Sequence, residues 1–313
     1  MSKYLGIDTS NYTSSCAIYN SDDDSMISLK KLLPVGEGQL GLRQSDAVFH
    51  HTKNLPPLLA DLFSEPVNGI KSVNVSFAPR DAEGSYMPCF SVGEGYAKVL
   101  SAALNAQLNK FSHQAGHIAA ALWATGKKSL AEKEFLAFHV SGGTTDVLYV
   151  KPDPEKVFSI DMIASSLDLK AGQAVDRVGG MLKLPFPAGP ELDRLAAESS
   201  MHYKTKPHMK DGCCSFSGLE NKCRNMVDNN ENPCDIAKYC IDYVCEAVRM
   251  MTKYALSQKG ELPVVFAGGV MSNSIISKAL SSEFDCSFAP PQYSSDNAAG
   301  TAYLGYIKEM RKC

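Results

Sequence analysis

The sequence predicts a two-lobed α/β fold in which one lobe repeats the other, and three observations predict it. Tyr4 to Asp8 is a short apolar strand, Thr9-Ser10-Asn11-Tyr12-Thr13 a polar turn, and Ser15-Cys16-Ala17-Ile18-Tyr19 a second apolar run, together a hairpin. The pattern returns mid-chain as Phe135 to Val140, the turn Ser141-Gly142-Gly143-Thr144-Thr145, and the return strand Asp146 to Val150. Helical periodicity follows each hairpin, so two similar segments open about 130 residues apart, the signature of a duplicated unit.

The remaining elements follow in order. Asp46 to Phe63 has helical spacing, with Pro56 and Pro57 expected to interrupt or kink it. Ser91 to Leu108 carries Ala, Leu and Lys at i, i+3 and i+4, a second helix. His113 to Thr125 is a third, stopped by Gly126. The stretch 201–234 is polar and cysteine-bearing and reads as a loop or insertion. Asp235 to Ser257 is one long helix leading into the buried strand Leu262 to Ala267, which ends in Gly268-Gly269. After Ser295-Asp296-Asn297, Ala298 to Met310 is the last helix. The expected lobes are 1–112 with 298–313 (N-terminal) and 113–297 (C-terminal). The expected fold is of the actin/sugar-kinase/Hsp70 (ASKHA) type, with an adenine nucleotide held between the lobes.

A chain of 313 residues, 44% hydrophobic, is long enough for one large domain or two lobes of roughly 150 residues. The net charge of -3 argues against a chain that grips nucleic acid with an overall basic surface; if RNA is a substrate, a partner or a local patch must help to hold it. No apolar run approaches the roughly 18 residues of a membrane span. Met1-Ser2-Lys3-Tyr4 leads straight into a strand without the apolar core of an export signal. The expectation is therefore a cytoplasmic protein with no membrane partner and with reduced cysteines. Cys213, Cys214, Cys223, Cys234, Cys240 and Cys245 contain no C-x-x-C pair, so buried thiols are expected there rather than a zinc or iron–sulfur site.

Three groups of residues have the chemistry of a site. The Ser141-Gly142-Gly143-Thr144-Thr145 turn lets backbone N–H groups approach an anion, although alone it is also an ordinary hairpin turn. Together with Asp8-Thr9-Ser10 and Ala267-Gly268-Gly269-Val270-Met271-Ser272-Asn273, it favours phosphate and adenosine contacts, because a strand ending in Gly-Gly before a helix is where a nucleotide sits. His113 and His117, at i and i+4, share a helix face and so can bind one metal ion; the pair alone is equally two satisfied histidines. Asp296, before the last helix, is a candidate third ligand, and two His with one carboxylate leave open positions for substrate oxygens. Asp176 and the Phe186-Pro187-Ala188-Gly189-Pro190 turn stand out too; composition does not separate a site from a surface acid beside Arg177 and a plain loop.

These pieces, in this order, resemble the catalytic-subunit family of tRNA threonylcarbamoyladenosine synthase, also known as the O-sialoglycoprotein endopeptidase or peptidase M22 family. The resemblance runs over nearly the whole chain: Gly6 to Ser10, His113-x-x-x-His117, Val140 to Gly143, Gly172 to Asp176, Pro187 to Pro190, Ser215-Phe216-Ser217-Gly218-Leu219, Ala267 to Val270 with Asn273, and Asp296-Asn297. It implies that His113, His117 and Asp296 hold one divalent metal ion, iron or zinc. It implies that His139, Val140, Ser141, Gly142, Gly143, Asp176, Gly189 and Asn273 bind an adenylate substrate. The implied reaction moves a threonylcarbamoyl group from that adenylate to N6 of a tRNA adenosine beside the anticodon, alongside small partner proteins that make the adenylate and sustain turnover.

Three departures mark a divergent paralogue. Asn11-Tyr12-Thr13 stand where the family has Cys-Asp-Glu, Thr144 stands where it has a histidine, and 79–86 replaces its Gly-Pro-Gly loop. Asp81 and Glu83, in that loop, are candidates to restore the lost acids. The lost acids favour a non-catalytic nucleotide-binding scaffold or regulator of a synthase complex; the retained ligand set selects the transferase. A metallopeptidase is disfavoured, because the histidine helix lacks the Glu that follows the first His in HExxH.

Overall fold

Strand order is the same in two separate sheets. The computed structural model describes residues 2–10, 12–34, 42–294 and 298–312. The first sheet contains β1 (Lys3–Ser10), β2 (Thr13–Asn20), β3 (Ser25–Leu32), β4 (Ile70–Ala78) and β5 (Gln107–Ser112), in the order β3-β2-β1-β4-β5. The second contains β6 (Phe135–Val140), β7 (Thr145–Asp153), β8 (Val157–Ser165), β11 (Val264–Ala267) and β12 (Cys286–Phe288), in the order β12-β11-β6-β7-β8. Each sheet starts from an antiparallel hairpin, β1–β2 or β6–β7, and grows from the other edge of its first strand by two parallel strands. The duplication expected from the two hairpins is therefore present in the topology. A short hairpin, β9 (His208–Lys210) with β10 (Cys213–Ser215), stands apart.

Packing divides the chain into two units, one of 1–132, 152–159 and 292–313, the other of 133–151 and 160–291. The first unit carries α1 (Gln44–Leu62), α2 (Phe90–Ala103) and α3 (His113–Ala124), together with α10 (Ala299–Met310). Side chains alternate across β1. Leu5 and Ile7 pack with Leu55, Leu59 and Ala97 from α1 and α2. Gly6 faces the other way, where a Cβ would lie 2.4 Å from the Ala298 carbonyl oxygen, so only glycine lets α10 lie on the strand. Asp8 shares that parity and faces α3. The same economy joins α3 to α10, since a Cβ at Gly300 would stand 1.8 Å from the Gly116 oxygen.

The second unit carries α4 (Ala171–Met181), α5 (Gly189–Glu198), α6 (Ser217–Asp228), α7 (Pro233–Lys259) and α8 (Ser274–Ser281), with α9 (Pro291–Ser294) at its edge. Its core joins Leu136, Phe138 and Val140 of β6 to the apolar face of α7. The 27-residue α7 has clear ends: Pro233 at its first position, the Asn232 side chain accepting the Cys234 N–H, and Gly260 at φ 87° closing it. Cys214, Cys223, Cys240 and Cys245 are buried in this core, and burial raises the Cys245 thiol to about 11. Cys213 and Cys234 are half-buried. No described helix is long and apolar enough to cross a membrane.

Several elements differ from the sequence reading. The helix expected through Leu108 ends at Ala103; Asn105 takes φ 48° and the chain enters β5. The strands β3, β4 and β8 were not foreseen. The stretch 201–234 holds the β9–β10 hairpin and the whole of α6. Its turn is Asp211-Gly212 with φ 50° and 78°, the pairing that matches hairpin twist, and this dipeptide was the overlooked signal. Helix α1 continues through Pro56 and Pro57, with Leu55, Leu59 and Leu62 buried around them.

Candidate functional site

The second unit contains a cavity of about 550 Å³, in the range of small-molecule sites. Its wall is built where three elements begin: α4, α5 and the short helical turn Gly269–Ser272 after β11. The glycines here do two different jobs. A Cβ at Gly142, Gly143, Gly189 or Gly269 would meet nothing within 4 Å, so a ligand can reach the backbone there; Gly142, Gly189 and Gly269 line the cavity. Gly172 and Gly268 are packing glycines. A Cβ on Gly172 would come within 2.5 Å of the Gly142 nitrogen, and one on Gly268 within 2.2 Å of the Val140 oxygen. Helix α4 thus rests directly on the turn after β6, held there by Gly172 N–H to the Ser141 oxygen (3.1 Å) and Ala171 N–H to Thr145 Oγ1 (2.9 Å).

Asp176 is the carboxylate of the cavity. Its Oδ1 accepts the Ala188 N–H at 2.9 Å, which ties α4 to the loop before α5. Burial raises its pKa, and the Ala188 bond opposes the rise. Val175, Ile241, Ile276, Pro187, Pro190 and Pro291 give an apolar lining suited to a base. The start of α8 is already occupied. Asn273 Oδ1 accepts both the Ile275 and Ile276 N–H groups at 3.0 Å, and the Asp193 carboxylate accepts Ser274 N–H at 3.2 Å. A phosphate at that helix end would displace these partners and meet the Asp193 charge. The α8 N-terminus thus has internal partners, and the open glycines and the apolar lining are what the cavity offers a ligand.

The expected adenylate residues fall into two groups. Gly142, Asp176, Gly189 and Asn273 line one cavity. Val140 is fully buried and spends its side chain on the core. Ser141 turns its Oγ inward to accept the Gly143 and Thr144 N–H groups. His139 lies within β6, opposite Ala267 on one side and Asp146 on the other. Ser272 of the Ala267–Asn273 motif lines the cavity as well, as do Asp193 and Ile241, which the sequence reading missed. Asp193 lies one helical turn beyond Gly189, so the face of α5 that carries Gly189 was the signal.

The first unit contains the histidine pair. Strand β5 ends at Ser112, whose Oγ accepts the Ala115 N–H (3.2 Å) and so starts α3 at His113. One turn later His117 brings its Nε2 to 2.9 Å from His113 Nε2. Buried Asp8 holds the other ring nitrogen, with Oδ2 2.6 Å from His113 Nδ1, and also accepts Ser76 Oγ–H (2.9 Å) and Ser10 N–H (2.7 Å). A carboxylate on the far nitrogen of a histidine is the arrangement that orients a metal ligand. Two Nε2 atoms so close suit adjacent positions around a divalent ion with bonds of about 2.1 Å. The donor set fits such an ion. Asp296, the expected third ligand, and Asn11 lie outside the described residues. Among the described residues no three metal-ligating side chains converge on one point.

The loop replacing Gly-Pro-Gly is tied to this helix start. Gln114 N–H donates to the Pro79 oxygen (3.1 Å), and Ser112 Oγ–H donates to Asp81 Oδ2 (2.7 Å), while Glu83 is exposed.

A profile of the family described as tRNA N6-adenosine threonylcarbamoyltransferase matches residues 41–303. The chain is 30% identical to the tRNA N6-adenosine threonylcarbamoyltransferase of Sulfurihydrogenibium sp. (strain YO3AOP1), over 98% of this chain and 91% of that protein. It is 29% identical to the protein of the same name from Buchnera aphidicola subsp. Schizaphis graminum, over 98% and 92%. Among solved structures, T. kodakarensis HypF superposes with a TM-score of 0.63 at 12% identity, over 99% of this chain and 48% of that one. Component A of the Acidaminococcus fermentans (R)-2-hydroxyglutaryl-CoA dehydratase does so at 0.55 and 16% identity, over all of both chains. These structures speak for the fold alone, and the fold is the actin/sugar-kinase/Hsp70 type.

Proposed function

Because this chain belongs to the tRNA N6-adenosine threonylcarbamoyltransferase family, we propose that it transfers a threonylcarbamoyl group from an adenylate donor to N6 of a tRNA adenosine. The observation that supports this reading is the cavity of the second unit, where Gly142, Asp176, Gly189 and Asn273 surround one apolar space of nucleoside size. In the reaction the N6 amine forms a bond to the carbamoyl carbon, the bond from that carbon to the phosphate oxygen breaks, and AMP leaves with the electron pair. The N6 proton passes to solvent.

This chain's residues act chiefly by positioning, which is where much of the rate of such a transfer arises. The apolar wall takes the adenine. Asp176, fixed by Ala188 N–H, offers its second oxygen to a ribose hydroxyl. The open glycines bring backbone N–H groups to the donor. His113 and His117, with Asp8 behind them, would hold a divalent metal together with Asp296, and the ion would supply a Lewis acid for carbamoyl or phosphate oxygens. Small partner proteins that make the adenylate complete the system.

A second reading, a non-catalytic nucleotide-binding scaffold, draws support from Asn11-Tyr12-Thr13, which supply no carboxylate. The deciding experiment supplies threonylcarbamoyl-AMP and a tRNA transcript to the metal-loaded chain, and reads the digested nucleosides by mass spectrometry. Modified adenosine, lost or slowed at least tenfold in Asp176→Asn, supports the transferase. AMP binding without product, even with the partner proteins added, establishes the scaffold instead.

A further inference from the structure

The second unit carries a charged feature that the cavity does not use. From His202 to Lys210 burial alternates without a break: His202, Lys204, Lys206, His208 and Lys210 are exposed, while Tyr203, Thr205, Pro207 and Met209 turn inward. Alternation of this kind marks an extended chain with one face on the protein. The inner face is anchored. Tyr203 N–H donates to Asp242 Oδ2 (3.2 Å), its ring meets Tyr239 edge-on at 5.2 Å, and Thr205 Oγ1–H reaches the Asp242 carbonyl (3.4 Å). Pro207 is buried, and Met209 packs on the core. Beyond Lys210 the Asp211-Gly212 turn fixes the far end, with the Gly212 Cα against the Tyr254 ring.

The outer face is basic and unneutralised. Arg177, Arg194, Arg224, Arg249, Lys238 and Lys253 of the same unit all pair with carboxylates. Lys204, Lys206 and Lys210 pair with none among the described residues. The acids beneath the ribbon have partners of their own, Asp242 with Lys238 and Glu246 with Arg249. Glu231 and Asp235 lie around Tyr203, so the basic track begins beyond it; Asp211 adds an exposed carboxylate at its far end.

We propose that Lys204, Lys206 and Lys210 form a track for the phosphate backbone of an RNA. This rests on the reading that the acceptor is a tRNA, and it answers how a chain of net charge -3 holds one. Alternate residues of an extended chain stand about 6.6 Å apart, a spacing on the scale of successive phosphates along one strand. An anchored ribbon holds its charges in a line, which suits a chain of phosphates better than the plane of a lipid surface.

The test titrates the full chain with a labelled tRNA transcript at several salt concentrations, and compares it with K204A/K206A/K210A. AMP binding and vesicles containing an anionic lipid are measured on both proteins. Each phosphate contact on a single strand contributes about 0.7 to the slope of log affinity against log salt, so the variant's slope should fall by roughly 2, and the wild type should lose about 20-fold more affinity between about 50 and 200 mM salt. AMP binding should not change, which shows that the variant is folded. Equal slopes overturn the proposal. So does a wild type that binds no tRNA, or one whose lysines serve the vesicles instead. The modification assay judges the functional reading separately: a modified tRNA with equal slopes sinks the track alone, and a lowered slope without modification sinks the transferase alone.

Discussion

Gly172→Ala tests whether the contact between helix α4 and the turn after β6 shapes the cavity. The new Cβ would lie 2.5 Å from the Gly142 nitrogen and 2.7 Å from both the Gly142 Cα and the Ser141 carbonyl carbon. All three are backbone atoms, so no side chain can swing away, and the shortfall from a separation of about 3.5 Å is roughly 1 Å. Gly179, seven residues on and so on the same face of the helix, is packed just as closely, since a Cβ there would come within 2.1 Å of the Ala188 Cβ. Relief therefore moves the turn or the start of α4, and both wall the cavity. Overpacking of this kind costs about 1–3 kcal/mol. Taken wholly by the site, that is roughly a 5- to 150-fold rise in the AMP dissociation constant. Calorimetric titration of AMP reads the affinity, and thermal melting reads the stability. Gly180→Ala in the same helix is the control: its Cβ meets nothing within 4 Å, and the helix gains up to about 1 kcal/mol in propensity. A Gly172→Ala protein that binds AMP and melts like the wild type would refute the reasoning.

Three further outcomes follow from the first unit. His51 is fully buried with Nδ1 2.8 Å from Ser14 Oγ, and burial lowers its pKa to about 4 against the opposing pull of the Asp8 charge. Its unfolded form takes up a proton from about pH 6.5 downward while the folded form does not. Stability should therefore fall between about pH 6.5 and 4, by up to roughly 3 kcal/mol. Denaturant melts across that range should show a shallower fall in His51→Gln; parallel curves would remove His51 as the cause. His113→Ala/His117→Ala should lose one divalent metal per chain by elemental analysis while AMP still binds in the second unit; retained metal would place the ion elsewhere. Asp81→Ala should lower metal content and slow transfer at least tenfold, because Asp81 holds the Ser112 cap of the histidine helix, whereas Glu83→Ala should do neither; slowed transfer in both with metal content unchanged would return both to a shared acidic role.

The parts of the fold legible in the sequence were those written locally. The hairpins β1–β2 and β6–β7 combine an apolar run, a polar turn and a return strand, and α7 shows its own caps. What escaped depends on partners distant in sequence. Strand β4 alternates Val73, Val75 and Phe77 with Ser72, Asn74 and Ser76. The polar set reads as a solvent face until the strand is paired between β1 and β5 and those residues are buried. Strand β5 continues the apolar spacing of α2, and only the left-handed Asn105 separates them. The polarity of 201–234 suggested a loop, yet half of its character is one face of an anchored ribbon. A sum over charges conceals such a face, because paired arginines elsewhere count the same as unpaired lysines here.

The site divides along the same line. Ligand-approach glycines and packing glycines look identical in a sequence: a Cβ on Gly142 would meet open space, whereas one on Gly172 would strike the backbone of Gly142 itself. The strand–Gly-Gly–helix pattern at 264–274 pointed to a nucleotide, and a free helix end there would attract its phosphate for sound electrostatic reasons. Those same reasons apply to any anion, and the protein supplies its own. Asp193, from a helix about 80 residues earlier, sits on the Ser274 N–H, with Asn273 capping the next two. Once the helix end is satisfied internally, what remains of the pocket is an apolar wall and one raised carboxylate at Asp176. On the transferase reading such a surface suits the base and ribose of the donor, whose charged end would then be held by groups other than the α8 terminus.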